Sequence, residues 1–362
     1  MLPPRVGREG TGSRLDGLSG CVNPSGGDRI LAVSDSRRDP FFVELAVRPG
    51  PPLAVEPGAV TALETLRGTR AAAADNAGGA SPLGRAWLPL MLDAEAIVAL
   101  PAGRLVVASE GNGHTVPPGL HEYGRDGRFI TTLPSPLPAV AGSSPGLPGG
   151  VRDNLSFEGL AALAGGRLLA SLEGPLLQDG PVSTPERGAW LRLFELVPDG
   201  AAWRPGRQVA YRFEPVSAEA DLRGGAITAG ISDLLALDDR RVLVLERAFL
   251  VSLGLPPRSE NRIRIVQIDL GTGDDLSGVA SLAAASFVPV RGDLVLDLDD
   301  IRHRLPPELQ RLENFEAMCP GPPLPDGRSS LLLISDDNFN PAQRTAFLLF
   351  GMREAHRGVT IR

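Results

Sequence analysis

Pairs of short apolar runs, each pair joined by a turn rich in Gly, Asp or Pro, recur along the chain. Two clear copies have the runs 94–100 and 105–110, and 157–163 and 168–173. Three further copies have the runs 18–22 and 30–35, 231–237 and 241–246, and 315–319 and 331–336. Short Val-, Ile- and Leu-rich runs on either side of a turn predict a β-hairpin made of buried strands.

A third apolar run follows several of these hairpins and alternates with polar residues. It is clearest at 190–196, 262–270 and 345–350, and alternation predicts a strand with one exposed face. A radial array of such small sheets is a β-propeller, so we predict an all-β propeller. The hairpins begin at intervals longer than a minimal four-stranded blade needs, which indicates long insertions or a blade without a clear hairpin. We expect six blades, with five or seven as the alternatives.

The segments between the hairpins predict loops rather than a second domain. Residues 51–90 and 134–153 are rich in Pro, Gly and Ala, which is typical of surface loops. Residues 306–312 predict a short helix with Pro in its first turn. We expect a loose N-terminal segment at 1–14, a single propeller domain at 15–352 and a C-terminal tail at 353–362.

The charge of the chain excludes several functions. All 36 basic residues are Arg, so neither a catalytic lysine nor a lysine P-loop is available. The net charge of −7 argues against a nucleic-acid partner, which usually requires a basic surface. No apolar run approaches the length of a membrane span, and the first residues lack the apolar core of a signal peptide. We therefore expect a soluble protein whose compartment the sequence leaves open.

The two cysteines, Cys21 and Cys319, occupy equivalent positions in the first and last hairpins. Two cysteines cannot build a zinc site of the CxxC type or a disulfide scaffold. Closure of a propeller would place the first and last blades side by side. We nevertheless expect two free, buried thiols, because inner strands of neighbouring blades usually lie too far apart for a disulfide.

Acidic residues recur at the open ends of the predicted hairpins. The turns at 101–104 and 164–167 place Glu95 opposite Glu110 and Glu158 opposite Glu173. The same construction pairs Glu316 with Asp336, Ser232 with Glu246, and Ser19 with Asp35. Like charges opposite each other destabilise a sheet. Their repetition requires a bound cation, Arg partners or protonation.

In a propeller, these open ends all face one mouth. We expect a ring of acidic ligands there, formed by Asp35, Glu95, Glu110, Glu158, Glu173, Glu246, Glu316 and Asp336. Carboxylate oxygens on a loop-rich rim favour Ca²⁺ over Mg²⁺ or Mn²⁺, and the lack of a His or Cys cluster disfavours Zn²⁺. The alternative is that the acids pair with Arg37, Arg38, Arg247 and Arg344, which closely follow the last acid of a repeat.

Candidates for catalysis are few. His114 and His121 follow the second hairpin and are candidate acids or bases above the mouth, although a solvated loop histidine is the simpler interpretation. Arg247 and Arg344 are further catalytic candidates. No G-x-S-x-G elbow surrounds a serine at the strand ends, which argues against a Ser–His–Asp hydrolase. Residues 336–340 are rich in oxygen ligands but lack the spacing of an EF-hand.

Several segments resemble one known family. The C-terminal segments 314–318 (NFEAM), 324–328 (LPDGR), 335–339 (SDDNF) and 343–345 (QRT) carry the most specific part of the resemblance. The middle segments NLSFEGL, SLEGP and VLER and the opening segments LSG and AVSD agree with it. Over roughly residues 15–352, the chain resembles the family named for the esterase-like activity of phytase. Arg291 stands where the family often has Lys, and the missing export signal is a second departure.

The resemblance implies a propeller-like fold, hydrolysis of phosphate or carboxylic esters, and often export from the cell. Together with the acidic mouth, it leads to two hypotheses. The first is a Ca²⁺-assisted hydrolase that acts on a small-molecule ester or phosphate ester. The alternative is a non-catalytic propeller that binds a ligand or a protein partner.

Overall fold

The computed structural model describes residues 16–64, 92–111, 116–137, 149–216, 222, 226–252, 254–255, 257–355 and 358–361. Within these ranges the chain forms five antiparallel sheets, each built from four strands that are consecutive in sequence. The first strands of neighbouring sheets contact each other in a closed circle, and the first strand of the last sheet contacts that of the first. The fold is an all-β propeller, as predicted, with five blades rather than the six we preferred.

Each blade runs from an inner strand at the axis to an outer strand at the periphery. The inner strands are β1 (Leu18–Val22), β5 (Ala94–Leu100), β9 (Phe157–Ala162), β13 (Ala226–Ala236) and β17 (Asn314–Pro320). The second strands are β2 (Arg29–Ser34), β6 (Arg104–Ser109), β10 (Leu168–Leu172), β14 (Arg241–Val251) and β18 (Ser330–Asp336). These ten strands include the five predicted hairpins.

The third and fourth strands complete the blades. The third strands are β3 (Phe41–Arg48), β7 (Gly119–Gly124), β11 (Ala189–Asp199), β15 (Ser259–Asp269) and β19 (Phe347–Ala355). The outer strands are β4 (Ala54–Ala62), β8 (Phe129–Thr132), β12 (Ala202–Phe213), β16 (Arg291–Asp297) and β20 (Gly358–Ile361). A short helix, α1 (Leu298–Ile301), follows β16.

The outer strands have the weakest pattern in the sequence. β4 lies inside the segment 51–90 that we assigned to a loop, because its sequence AVEPGAVTA includes Pro57 and Gly58 and alternates little. Pro is tolerated on an edge strand, where its missing N–H faces solvent. The segment assigned to a C-terminal tail contains β20, which pairs with β19. The predicted helix at 306–312 is reduced to a 3₁₀ turn at Pro307–Leu309.

The hydrophobic core is divided among the five blade interfaces. One cluster joins blades 1 and 2 through residues such as Val33 and Val107, and another joins blades 5 and 1 through Ile30 and Leu332. Three equivalent clusters fill the remaining interfaces. Both faces of the inner hairpins are therefore covered, which explains why their sequences read as continuous apolar runs.

A β-bulge occurs at the same place in all five inner strands. In β5, Ala94 pairs with Ser109 and Ala96 with Ala108, so Glu95 is the extra residue. The equivalent bulged residues in the other blades are Ser19, Glu158, Ser232 and Glu316. A bulge adds one residue to one strand and redirects its side chain. Here it places one polar side chain of each blade near the axis.

A disulfide closes the ring of blades. Cys21 in β1 and Cys319 in β17 are bonded, with their Cα atoms 5.6 Å apart. The expectation of two free thiols was wrong. With five blades, the inner strands of neighbouring blades converge on a narrow axis, and the Cα separation falls within the range of 4.4–6.8 Å that a disulfide requires. The covalent bond joins the two ends of a ring in which no strand is exchanged between the first and last blades.

A long connection in blade 4 is hydrogen-bonded to blade 3. We call residues 270–290, between β15 and β16, the strap. Backbone amides at both ends of the strap bond to β12, from Leu276 to Gln208 at 2.8 Å and from Val290 to Ala210 at 2.9 Å. Beneath it, the fully buried Arg192 pairs with Asp179 through two hydrogen bonds of 2.6 and 2.9 Å.

No helix in the described residues is long and apolar enough to cross a membrane.

Candidate metal site at the propeller mouth

The open ends of the inner hairpins surround a cavity of about 950 Å³ at one mouth of the propeller. Its lining includes six of the eight predicted ring acids, Asp35, Glu95, Glu110, Glu158, Glu316 and Asp336, together with Asp93, which was not predicted. The other two predicted acids, Glu173 and Glu246, are not among the lining residues. Arg37, Arg38 and Arg247 also line it. The mouth is therefore strongly acidic, although its cross-strand pairs differ from the predicted ones. The predicted role of these acids as metal ligands stays a prediction.

The residues directly opposite the strand-end acids are not the predicted ones. Asp93 rather than Glu95 lies opposite Glu110, and the amide of Glu110 bonds to the carbonyl of Asp93 at 3.0 Å. Two causes add up, because the hairpin turn shifts the pairing by one residue and the bulge by another. A shift of two residues keeps every side chain on its predicted face. The acids consequently still reach the mouth.

Glu246 is the exception, and its assignment to the ring was wrong. In blade 4 the predicted turn is correct, so only the bulge shifts the pairing, and Glu246 lies opposite Ile231. A shift of one residue turns the side chain to the other face. Glu246 instead accepts hydrogen bonds from the Tyr211 hydroxyl at 2.7 Å and the Arg264 guanidinium at 2.8 Å. The next residue, Arg247, takes its place in the ring.

Two groups of three carboxylates have the spacing of metal ligands. Glu95, Glu110 and Glu158 form one group and Asp35, Asp93 and Glu95 the other, and in each group the candidate ligand atoms lie within 4.8 Å of one another. Glu95 belongs to both. Asp93 was missed in the sequence because it precedes the apolar run of β5, and only the two-residue shift in register reveals that it faces Glu110.

Glu95 and Glu158 are buried without a direct partner in the described part of the chain. Their exposed fractions are 8% and 6%. The charges of Arg37 and Arg247 act on them without forming an ion pair. Isolated buried carboxylates are strongly unfavourable, so they either take up a proton or bind a cation. The hydroxyls of Ser19 and Ser232, at the equivalent bulges, are also buried and lack a partner in the described part of the chain.

Two arginines neutralise other acids of the ring. Arg247 contacts Glu173 at 2.7 Å and Glu316 at 3.1 Å, and Arg37 pairs with Asp93. The pairing with Arg that was the alternative prediction is thus seen for Glu173 and Glu316, whereas Arg37 pairs with Asp93, an acid outside the predicted set. It does not extend to Glu95 and Glu158.

Burial and mutual repulsion raise the pKa values of the ring carboxyls. Burial, followed by the charges of Glu316 and Asp93, raises the pKa of Asp35 to about 7. Burial and Glu173 raise the pKa of Glu110 to about 8, and burial and Glu316 raise that of Asp336 to about 9. The pKa values of Glu95 and Glu158 are raised well above their usual range, chiefly by burial. Without a cation the site therefore retains several protons at neutral pH.

The predicted catalytic candidates lie in different places. His114 is outside the described residues. His121 is buried in β7, with its Nδ1 3.0 Å from the Thr132 hydroxyl, and burial lowers its pKa to about 4. Arg247 lies in the cavity, whereas Arg344 is exposed and does not line it. Of these four side chains, only Arg247 is placed at the mouth by the described structure.

Comparison with known families agrees with the resemblance noted in the sequence. The profile of the phytase-like family, described by the esterase-like activity of phytase, matches residues 13–339. The chain belongs to this family. The comparison with curated proteins gave no match.

Similar solved structures are distant. An ulvan lyase of polysaccharide lyase family PL25, bound to a GlcA–Rha3S saccharide, is 8% identical over 96% of this chain and 72% of its own, with a TM-score of 0.38. The periplasmic gluconolactonase PpgL of Pseudomonas aeruginosa is 12% identical over 96% of this chain and 85% of its own, with a TM-score of 0.35.

Proposed function

We propose that this phytase-like protein is a metal-assisted hydrolase of phosphate or carboxylic esters, with Ca²⁺ held by the carboxylates of the mouth. The proposal depends above all on Glu95 and Glu158. These side chains are more than nine-tenths buried and unpaired among the described residues, and together with Glu110 they present ligand atoms within 4.8 Å of one another. A cation supplies the partner that these carboxylates lack.

The donor set favours a hard cation. The two groups offer carboxylate oxygens and no nitrogen or sulfur, which suits Ca²⁺ best and Mg²⁺ or Mn²⁺ less well. A bound Ca²⁺ would polarise an ester and activate water. Each ring carboxyl must lose its proton to bind the ion, so metal affinity should rise with pH.

Other residues of the cavity can handle the rest of an ester substrate. Arg37 and Arg38 lie on the rim, where guanidinium groups bind phosphate or carboxylate oxygens. Asp336 is outside both ligand groups, and in the metal-free protein burial and the charge of Glu316 raise its pKa to about 9. We assign to it the role of giving a proton to a departing alkoxide.

The proposal is tested with the metal first and turnover second. Calorimetry with Ca²⁺ and Mg²⁺ should show binding to the wild-type protein, at least tenfold weaker binding to Glu158→Gln, and little change for Glu246→Gln. Glu246 is the matched control because it is a buried glutamate away from the cavity. Hydrolysis of p-nitrophenyl phosphate and p-nitrophenyl acetate should require the same metal. A wild-type protein that binds neither metal would contradict the proposal.

A non-catalytic binding propeller is the second candidate. The described lining of the cavity contains no His or Cys, so its two hydroxyl side chains, Ser36 and Thr228, have no histidine base among the lining residues. If Ca²⁺ binds tightly and no ester is hydrolysed, this second function replaces the first.

A further inference from the structure

Phe339 is an aromatic side chain exposed at the mouth. Its exposed fraction is 48%, and it is the one aromatic residue among the large apolar side chains exposed in the described structure. Phe339 is also the one member of that set that lines the mouth cavity. Single exposed apolar side chains are common, but this ring is exposed inside the cavity, where a bound ligand can contact it.

The backbone holds this ring in an unusual conformation. Asn338 and Phe339 both have φ of 50°, in the left-handed region that residues with a Cβ rarely adopt. Asn adopts that region fairly often, whereas Phe adopts it rarely and at an energetic cost. Hydrogen bonds fix the loop, from the Asn338 amide to Asp336 at 2.9 Å and from the Phe339 amide to Asp337 at 3.1 Å. The ring is thus held in place before any ligand arrives.

The first blade supports the ring from behind. Asp337 also accepts a hydrogen bond of 3.0 Å from the amide of Gly17, which ties the loop to the start of β1. Gly17 has φ of 72°, and a Cβ added there would lie 2.4 Å from Cζ of Phe339. The ring therefore packs directly on the glycine backbone, and what remains exposed forms part of the cavity wall.

The blades contribute different side chains to the cavity. Blade 1 contributes the two arginines Arg37 and Arg38, whereas both phenylalanines of the lining, Phe249 and Phe339, come from blades 4 and 5. Blades 4 and 5 also contribute charged groups, Arg247, Glu316 and Asp336. A substrate that uses the arginines of blade 1 and the ring of Phe339 has an anionic group and an apolar surface.

We infer that Phe339 is a specificity-determining residue that stacks against a ring in the substrate, so that the substrate is an anionic ester carrying an aryl or sugar ring. The inference rests on the proposed function, because the metal and Arg37 hold the anionic end. Offset or edge contacts between an aromatic side chain and a ring are worth a few-fold to about tenfold in affinity.

The test measures binding of compounds that need not be hydrolysed. With Ca²⁺ present, calorimetry compares phenylphosphonate with methylphosphonate, and glucose 6-phosphate with glycerol 3-phosphate. We expect the wild-type protein to bind the ring compound of at least one pair about three- to tenfold more tightly. Phe339→Ala should remove that preference and leave the ringless compound unchanged, while Phe339→Trp should keep it. Leu294→Ala, an exposed apolar residue off the cavity, should have no effect.

The outcomes separate the two ideas. A preference for phenylphosphonate alone identifies an aryl substrate, and a preference for glucose 6-phosphate alone identifies a sugar. Equal affinity within both pairs, or an equal loss for all compounds in Phe339→Ala, overturns the role of Phe339 and leaves the proposed function standing. Absence of Ca²⁺-dependent binding for all four compounds overturns the anion site itself, and with it both proposals.

Discussion

Carboxyls at equivalent positions of the mouth differ in what neutralises them. Glu316 and Glu158 both occupy the bulge of an inner strand, but Arg247 forms a direct ion pair with Glu316 and acts on Glu158 only through its longer-range charge. At the position where the second strand of each of the other blades supplies an acid to the mouth, the second strand of blade 4 supplies Arg247. The identity of one residue in one blade therefore decides which carboxyls are available for a cation.

The first prediction concerns the unpaired carboxyl. In metal-free buffer at pH 8, Glu158→Gln should raise the free energy of unfolding by about 1–2 kcal/mol. The reason is that the carboxyl of Glu158 ionises less readily in the native state than in the unfolded state, and glutamine has no such cost. With saturating Ca²⁺ the order should reverse, because the wild type gains the free energy of metal binding. Urea unfolding with and without Ca²⁺ measures both effects.

Glu246→Gln provides the contrast. This glutamate is buried and paired with Arg264, and removing one partner of such a pair costs about 3 kcal/mol. It should lower the free energy of unfolding equally with and without Ca²⁺. If Glu158→Gln behaved in the same way, Glu158 would be a structural residue rather than a metal ligand.

At the scale of the strand, the pattern of apolar residues predicted the hairpins but not their register. Phe157 and Phe315 are fully buried, as expected of residues that precede a motif glutamate. The bulges have no common signal in the sequence, because Gly20 and Gly159 follow the bulged residue in blades 1 and 3, whereas Ala96 and Ala317 follow it in blades 2 and 5. Whether an acid such as Glu246 reaches the mouth depends on whether the hairpin turn is one residue longer or shorter. The periodicity of apolar residues does not specify that length.

The strap is an element that the sequence pattern did not reveal, and its anchor can be tested. Arg192→Met should lower the free energy of unfolding by about 3–5 kcal/mol, since Asp179 then remains buried without its charge partner. Arg240→Met removes an exposed ion pair with Asp269 and should change it by less than about 1 kcal/mol. Equal effects in urea unfolding would show that the buried pair does not anchor the strap.

At the scale of the whole molecule, closure of the ring depends on contacts between the first and last blades. The disulfide of Cys21 and Cys319 spans 298 residues of sequence. A crosslink across so long a loop restricts the unfolded chain, which is typically worth about 2–5 kcal/mol. The Cys21→Ser/Cys319→Ser variant should lose about that much in urea unfolding. Dithiothreitol should destabilise the wild type similarly and leave the variant unchanged, whereas insensitivity of the wild type would contradict this role.

The acidic mouth should also set the pH dependence of the metal-free protein. Native pKa values of about 7 for Asp35, 8 for Glu110 and 9 for Asp336 exceed the unfolded values of about 4. Between the unfolded and the native pKa values, the native state holds more protons than the unfolded state. The stabilisation from these protons is complete below about pH 4 and is lost as pH rises through the native pKa values. The free energy of unfolding should fall between pH 6 and 9, and Ca²⁺ should reduce the fall. A rise over this interval without metal would contradict the charge assignment.

In the residues that the structure describes, every blade is made of four consecutive strands and none borrows a strand from another, so each blade corresponds to one uninterrupted stretch of the amino-acid sequence. Duplication or loss of such a stretch would change the number of blades in a single genetic event without re-threading the rest of the chain. The diameter of the mouth, and with it the spacing of the acids around the axis, would change in the same event. Blade number is therefore a route by which descendants of one ancestral gene can acquire mouths that fit different ions.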